Sequence, residues 1–158
     1  MAAAVPERFV ELISTITNEI EGKPIEPALA DFLSSKFPAG GPVFEELTQL
    51  CVQGCAEGWL CAREHEGIKF GRPVKPGERT HGFSVDVVEM HDIVGPHHRH
   101  PKGEIDMVMP LEGDAAFDGA RKGWKVFAPD SAHRPTVSGG KALVLYLLPQ
   151  GEIEFTRA

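Results

Sequence analysis

Beyond Trp59 the chain breaks into short β-prone runs separated by Gly, Pro and Asp turns. That spacing restricts the fold more than any other feature, because it belongs to sandwiches and barrels. The runs are Ile68 to Val74, Gly82 to Met90, Glu104 to Met109, Ala115 to Phe117, Trp124 to Ala128 and Leu143 to Leu148. Glu66-Gly67 and Asp118-Gly119 supply turn chemistry between them. The last run, ALVLYLL, is apolar at every position, so both of its faces must be covered.

Before Trp59 the periodicity is helical. In PERFVELISTITNEIEG, Phe9, Leu12, Ile13, Ile16 and Ile20 recur at three- and four-residue steps and form one stripe. Pro6 suits the first turn of that helix and Gly22 its end. A second helix is predicted from Glu26 to about Lys36, burying Leu29, Phe32 and Leu33, and a third from Pro42, using Phe44, Leu47, Leu50 and Cys51. Helices this short are marginal alone and must pack on something. The reading is mainly β: a barrel over 61–158 with a helical N-terminal segment, 1–60, on its outer face.

A chain of 158 residues can bury a real core without a disulfide or metal staple. Its 16 Lys and Arg against 23 Asp and Glu leave a net charge of −7, which argues against nucleic acid as a partner. No apolar run approaches the roughly 18 residues of a membrane span, and MAAAVPERFVEL has no basic region followed by an apolar one. A cytoplasmic protein without membrane partners is expected. Cys51, Cys55 and Cys61 form no CxxC pair and read as reduced, buried thiols, with Cys51 and Cys55 sharing a helix face.

Five of the seven histidines lie between positions 91 and 133, three of them in GPHHRHPKGEID. In an extended strand, residues two apart point the same way, so His98 and His100 face one side. Glu104 follows four residues later, and Asp106 shares its face. His133 comes after a further strand and turn, in APDSAHRP. Three neutral imidazoles and a carboxylate inside a barrel are ligands that a first-row divalent metal prefers. His97 has the opposite parity and should face outward or cap the turn, and His65 and His91 read as surface residues. His81, at the start of a strand, is a candidate to reach the cavity.

These residues resemble a known superfamily. GPHHRHPKGEIDMVMPLEG is similar to the first cupin motif and GWKVFAPDSAHRP to the second. The resemblance implies a jelly-roll β-barrel with a central metal held by His98, His100, Glu104 and His133. Two features depart from the motifs. The first is long between carboxylate and glycine, with Pro110 inside it, which predicts a bulge. Counting back six residues from Gly113 reaches Asp106, so Glu104 and Asp106 both stand as the carboxylate ligand. The second motif lacks its glycine and is one residue short before His133. CAEGWLCAREHEGIKFGRPVKP, THGFSVDVVEM and HRPTVSGGKALVLYLLPQGEIEF are similar to the small cupin family that includes 4-hydroxylaminobenzoate lyase, nearly from end to end.

Membership would imply a homodimeric lyase that carries one divalent iron, manganese, nickel or zinc ion and converts 4-hydroxylaminobenzoate and water to 3,4-dihydroxybenzoate and ammonia. Glu104 or Asp106, whichever is not the ligand, is then a candidate general acid or base. Candidate substrate-binding residues are Arg72, His81, Trp124 and Tyr146, with Lys75, Phe83 and Phe127 also within consideration. The alternatives are another metal-dependent cupin enzyme, a dioxygenase or isomerase acting on a small organic acid, or a non-enzymatic cupin that binds a small molecule.

Overall fold

The computed structural model describes residues 4–157. Its first third is three helices: α1 (Glu7–Ile20), α2 (Leu29–Lys36) and α3 (Pro42–Glu57). The predicted stripe of α1 is buried throughout, with Thr17 joining it. Pro6 stands one residue ahead of the helix with extended ψ, and Gly22 lies just past its end at φ +80°. α2 begins at Leu29, later than the predicted Glu26, because residues 26–28 form a tighter turn in which Leu29 N–H donates to Glu26 C=O. Phe32 is only half-buried, under the Lys23 ammonium 4.3 Å from its ring centre, whereas Leu29 and Leu33 face the core. In α3 the interior Gly54 is needed for close approach: a Cβ there would meet the Leu60 side chain at 2.7 Å.

Nine strands follow among the described residues: β1 (Arg63–His65), β2 (Ile68–Val74), β3 (Phe83–Val94), β4 (His98–His100), β5 (Glu104–Phe117), β6 (Gly123–Phe127), β7 (Ser131–His133), β8 (Thr136–Pro149) and β9 (Glu154–Phe155). They form a six-stranded antiparallel sheet, order β1-β2-β3-β8-β5-β6, and a three-stranded one, β7-β4-β9, with no ladder among the described residues closing the two into a continuous barrel. The runs predicted separately at 104–109 and 115–117 are one long strand, β5, bent where its register against β8 shifts between Pro110 and Glu112 and again between Gly113 and Ala116. The first shift is the bulge predicted at Pro110, where a ladder N–H is missing.

Strand parity divides the core in two. Leu143, Leu145 and Leu147 of β8 pack with Val85 and Val87 of β3, Ile105, Met107 and Met109 of β5, and the three helices. Burying each such leucine contributes roughly 1.5–3 kcal/mol. The alternate residues Val144, Tyr146 and Leu148 lie with Val88, Met90 and Val108 on the opposite face. β8 is therefore apolar on both sides because one side holds the helices and the other lines the interior.

Candidate metal centre

The same parity aims the chemistry inward. Glu104 and Asp106 share the interior face of β5 with Val108, and both carboxyls are fully buried. β4 presents His98 and His100 on one face, and β7 pairs with it so that His133 lies directly across from His98. One donor atom from each of His98, His100, Glu104 and His133 falls within 4.8 Å of all the others.

The outer nitrogens of the three imidazoles are engaged. His98 Nδ1 lies 3.3 Å from Pro96 C=O, and His100 Nδ1 3.0 Å from Ser131 Oγ, whose own hydroxyl donates to Ala128 C=O. His133 Nδ1 contacts Asp118 Oδ2. These acceptors place the proton on Nδ1 in each ring and leave the Nε2 lone pairs turned inward. His98 Nε2 and His133 Nε2 then face each other at 3.2 Å with no proton to share. His100 Nε2 is 3.3 Å from Glu104 Oε2 but not aligned for a hydrogen bond, and both Glu104 oxygens lack a hydrogen-bond partner among the described residues. A buried pocket of facing lone pairs around a carboxylate is costly unless a cation sits among them, so the donor set fits a divalent ion.

Electrostatics keep the set ready. Burial pulls His98 down to about 4, so its ring is neutral at physiological pH and its lone pair is free. Burial is the largest influence on Glu104 and alone would push it up, but His100, Asp106 and His98 around it together hold the carboxyl below its ordinary value. Asp106 goes the other way: burial, then the Glu104 carboxylate, push it well above the usual range. The two carboxyls are thus pushed in opposite directions, Glu104 toward its ionised form and Asp106 toward its protonated one.

A cavity of about 900 Å³ is lined by His98, Phe70, Arg72, Met90, Tyr146 and Phe155. Register sets Tyr146 of β8 opposite Asp86 of β3 on one side and Asp106 of β5 on the other. Arg72 Nε donates to Asp86 Oδ1 at 2.8 Å and Nη2 to Gly151 C=O at 3.1 Å, leaving Nη1 without a hydrogen bond among the described residues. Arg72 and Tyr146 therefore stand in the cavity.

His81 and Trp124 do not. His81 closes the short helical turn Glu78–Thr80 at φ +52°, and its Nδ1 bonds Thr17 Oγ1 of α1 at 2.8 Å. Trp124 belongs to the helix-facing side of β6, where its indole N–H donates to Phe37 C=O at 2.9 Å and its ring meets Phe44 edge-on. The interior aromatic of β6 is Phe127, with ring centres 4.4 Å from His133 and 5.2 Å from His100. His97 ties down the C-terminal strand, its Nδ1 2.6 Å from Thr156 Oγ1. Asp118 and Ser131 escaped the sequence reading. Asp118 registered only as a turn residue, and no pattern links it to a histidine 15 positions away.

Facing antiparallel sheets with three imidazoles and a carboxylate converging between them make this chain a cupin. The likeness extends to solved structures at low identity. An RmlC-like cupin protein from Ralstonia eutropha aligns with a TM-score of 0.45 and 15% identity over 61% of this chain and 64% of its own. The polyketide cyclase RemF from Streptomyces resistomycificus aligns with a TM-score of 0.42 and 9% identity over 59% and 73%. Two curated relatives named 4-hydroxylaminobenzoate lyase match nearly the full length. One from Nocardioides sp. (strain LMS-CY) is 29% identical over 96% of this chain and 95% of its own. One from Pseudomonas putida is 28% identical over 94% of each. The profile of the PnbB 4-hydroxylaminobenzoate lyase family matches residues 11–155, and the chain belongs to that family.

Proposed function

We propose that this chain is a metal-dependent lyase that converts 4-hydroxylaminobenzoate and water to 3,4-dihydroxybenzoate and ammonia. The observation that carries the reading is the inward-facing donor cluster of His98, His100, Glu104 and His133, whose His98 lines a cavity, in a member of this family. A bound iron, manganese, nickel or zinc ion would supply Lewis acidity toward the hydroxylamino oxygen. Asp106, buried and protonated, holds the proton that the departing oxygen needs. Phe70, Met90 and Phe155 give the substrate ring an apolar wall and exclude bulk water, while the free Nη1 of Arg72 receives the benzoate carboxylate. The N–O bond is the internal oxidant, so no external one is required.

The test is ammonia release from purified, metal-loaded protein given 4-hydroxylaminobenzoate without oxygen. Release supports the lyase; no release from protein that holds one metal per chain overturns it, and dependence on oxygen would move the reading to an oxygenase.

Two further outcomes are expected. Asp118→Asn should weaken metal affinity about 10–100-fold, since an amide at this position no longer secures the His133 tautomer. A competitive chelator titration reads this directly. Arg72→Met should raise KM about tenfold or more with a smaller change in kcat, the loss of a charge-assisted bond worth about 1.5–3 kcal/mol. With the methyl ester of the substrate, parent and variant should converge.

A further inference from the structure

The cysteines take no part in the metal centre, and they are not three equivalent buried thiols. Cys51 is fully buried in α3, whereas Cys55, one turn on, is half-buried. Gly58, at φ +88°, then reverses the chain and brings Cys61 back against the helix. Cys61 sits in the left-handed region at φ +53°, a conformation few side chains adopt without tertiary support. Its Sγ lies 2.9 Å from Cys55 Sγ, sulfur against sulfur, and Cys61 also lines the cavity wall beside Trp59. A small solute entering the cavity reaches Cys61, whose sulfur abuts that of the half-buried Cys55, while Cys51 is sealed off.

We infer that Cys55 and Cys61 form a redox modification site, which a small-molecule disulfide converts to an intramolecular disulfide pinning the end of α3 to the cavity wall. The two thiols are not alike. The adjacent Cys61 S–H, with help from Lys69 and Lys141, holds Cys55 below the usual thiol range despite its burial. Its partner Cys61 is pushed up by that same contact and by burial. Cys55 is accordingly the attacking thiolate. It displaces one half of the small disulfide as a thiolate and forms a mixed disulfide. Cys61 then attacks the Cys55 sulfur, expels the second half and gives up its proton to it. Two protein thiols become one disulfide, and the oxidant leaves as two small thiols carrying both electrons and both protons.

The full chain is incubated with oxidised glutathione, then unfolded, alkylated with iodoacetamide and mapped by mass spectrometry, beside Cys51→Ser and Cys55→Ser variants. The expected parent product has lost the mass of two hydrogens, carries a Cys55–Cys61 cross-linked peptide and is alkylated at Cys51 alone. Cys51→Ser should give the same cross-link, and Cys55→Ser none within the chain. Three alkylated thiols in the oxidant-treated parent, a cross-link that includes Cys51, or one that joins two chains would each overturn the assignment. The readout is chemical and needs no turnover, so its failure leaves the lyase reading untouched.

Discussion

A chain carrying His98→Ala and His100→Ala is expected to hold no stoichiometric divalent metal and to release no ammonia from 4-hydroxylaminobenzoate. Both imidazoles come from the same face of β4, and together they provide half of the donor set. Loss of an outer-shell partner already costs about 10–100-fold in affinity, so loss of two ligands should exceed about 100-fold. Glu104 would then be left fully buried without its His100 neighbour, and a carboxylate in that position neutralises rather than staying charged. The fold should survive, because the helix-facing core of β3, β5 and β8 does not touch either histidine. Metal analysis, ammonia release and far-ultraviolet circular dichroism on one preparation check all three statements. Ammonia release that persists in the metal-free variant would detach the chemistry from this centre.

Asp106→Asn is expected to lower turnover about 10²–10⁴-fold while metal content stays at the parent level, and Glu104→Gln to lose the metal. The contrast follows from the opposite states of the two carboxyls. Glu104 is shifted toward its ionised form among the imidazoles, the form a ligand needs, whereas Asp106 is shifted toward its protonated form and stands outside the cluster of His98, His100, Glu104 and His133. Asparagine keeps the shape and neutrality of the protonated acid but has no acidic proton to give. Metal loss in Asp106→Asn with retention in Glu104→Gln would reverse the two assignments. Stability gives a second check. A carboxyl whose folded pKa is raised favours the native state at acid pH, and that contribution is lost as pH rises through the folded value. Chelator-treated Asp106→Asn should therefore be more stable than the parent at pH 8, with the gap closing as the pH falls toward the ordinary aspartate value of about 3.9.

Much of this architecture was legible because it is local. The unbroken apolar run ALVLYLL predicted cover on both faces, and β8 has the helix layer on one and the interior on the other. His98 and His100 are two apart on one strand, so parity alone could aim them together, and Glu104 follows only four residues later. His133 needed the second motif, and the β4–β7 register brings it across from His98. What escaped was set by distant partners. Asp118 reaches His133 because a turn at φ +47° folds back onto the backbone of Thr136, which no local pattern encodes. His81 was drawn toward α1 by a hydroxyl 64 positions away. Trp124 and Phe127 are both aromatic residues of one strand, and only the position of the helices tells which face of β6 looks outward.

β8 gives its odd-numbered leucines to the helices and its even-numbered side chains to the interior. Folding and substrate scope are thus written on alternate letters of the same strand. Drift at Tyr146 or Leu148 can reshape what the cavity admits while the helix interface stays intact. A family built this way can diversify its chemistry one residue at a time without first having to reinvent its scaffold.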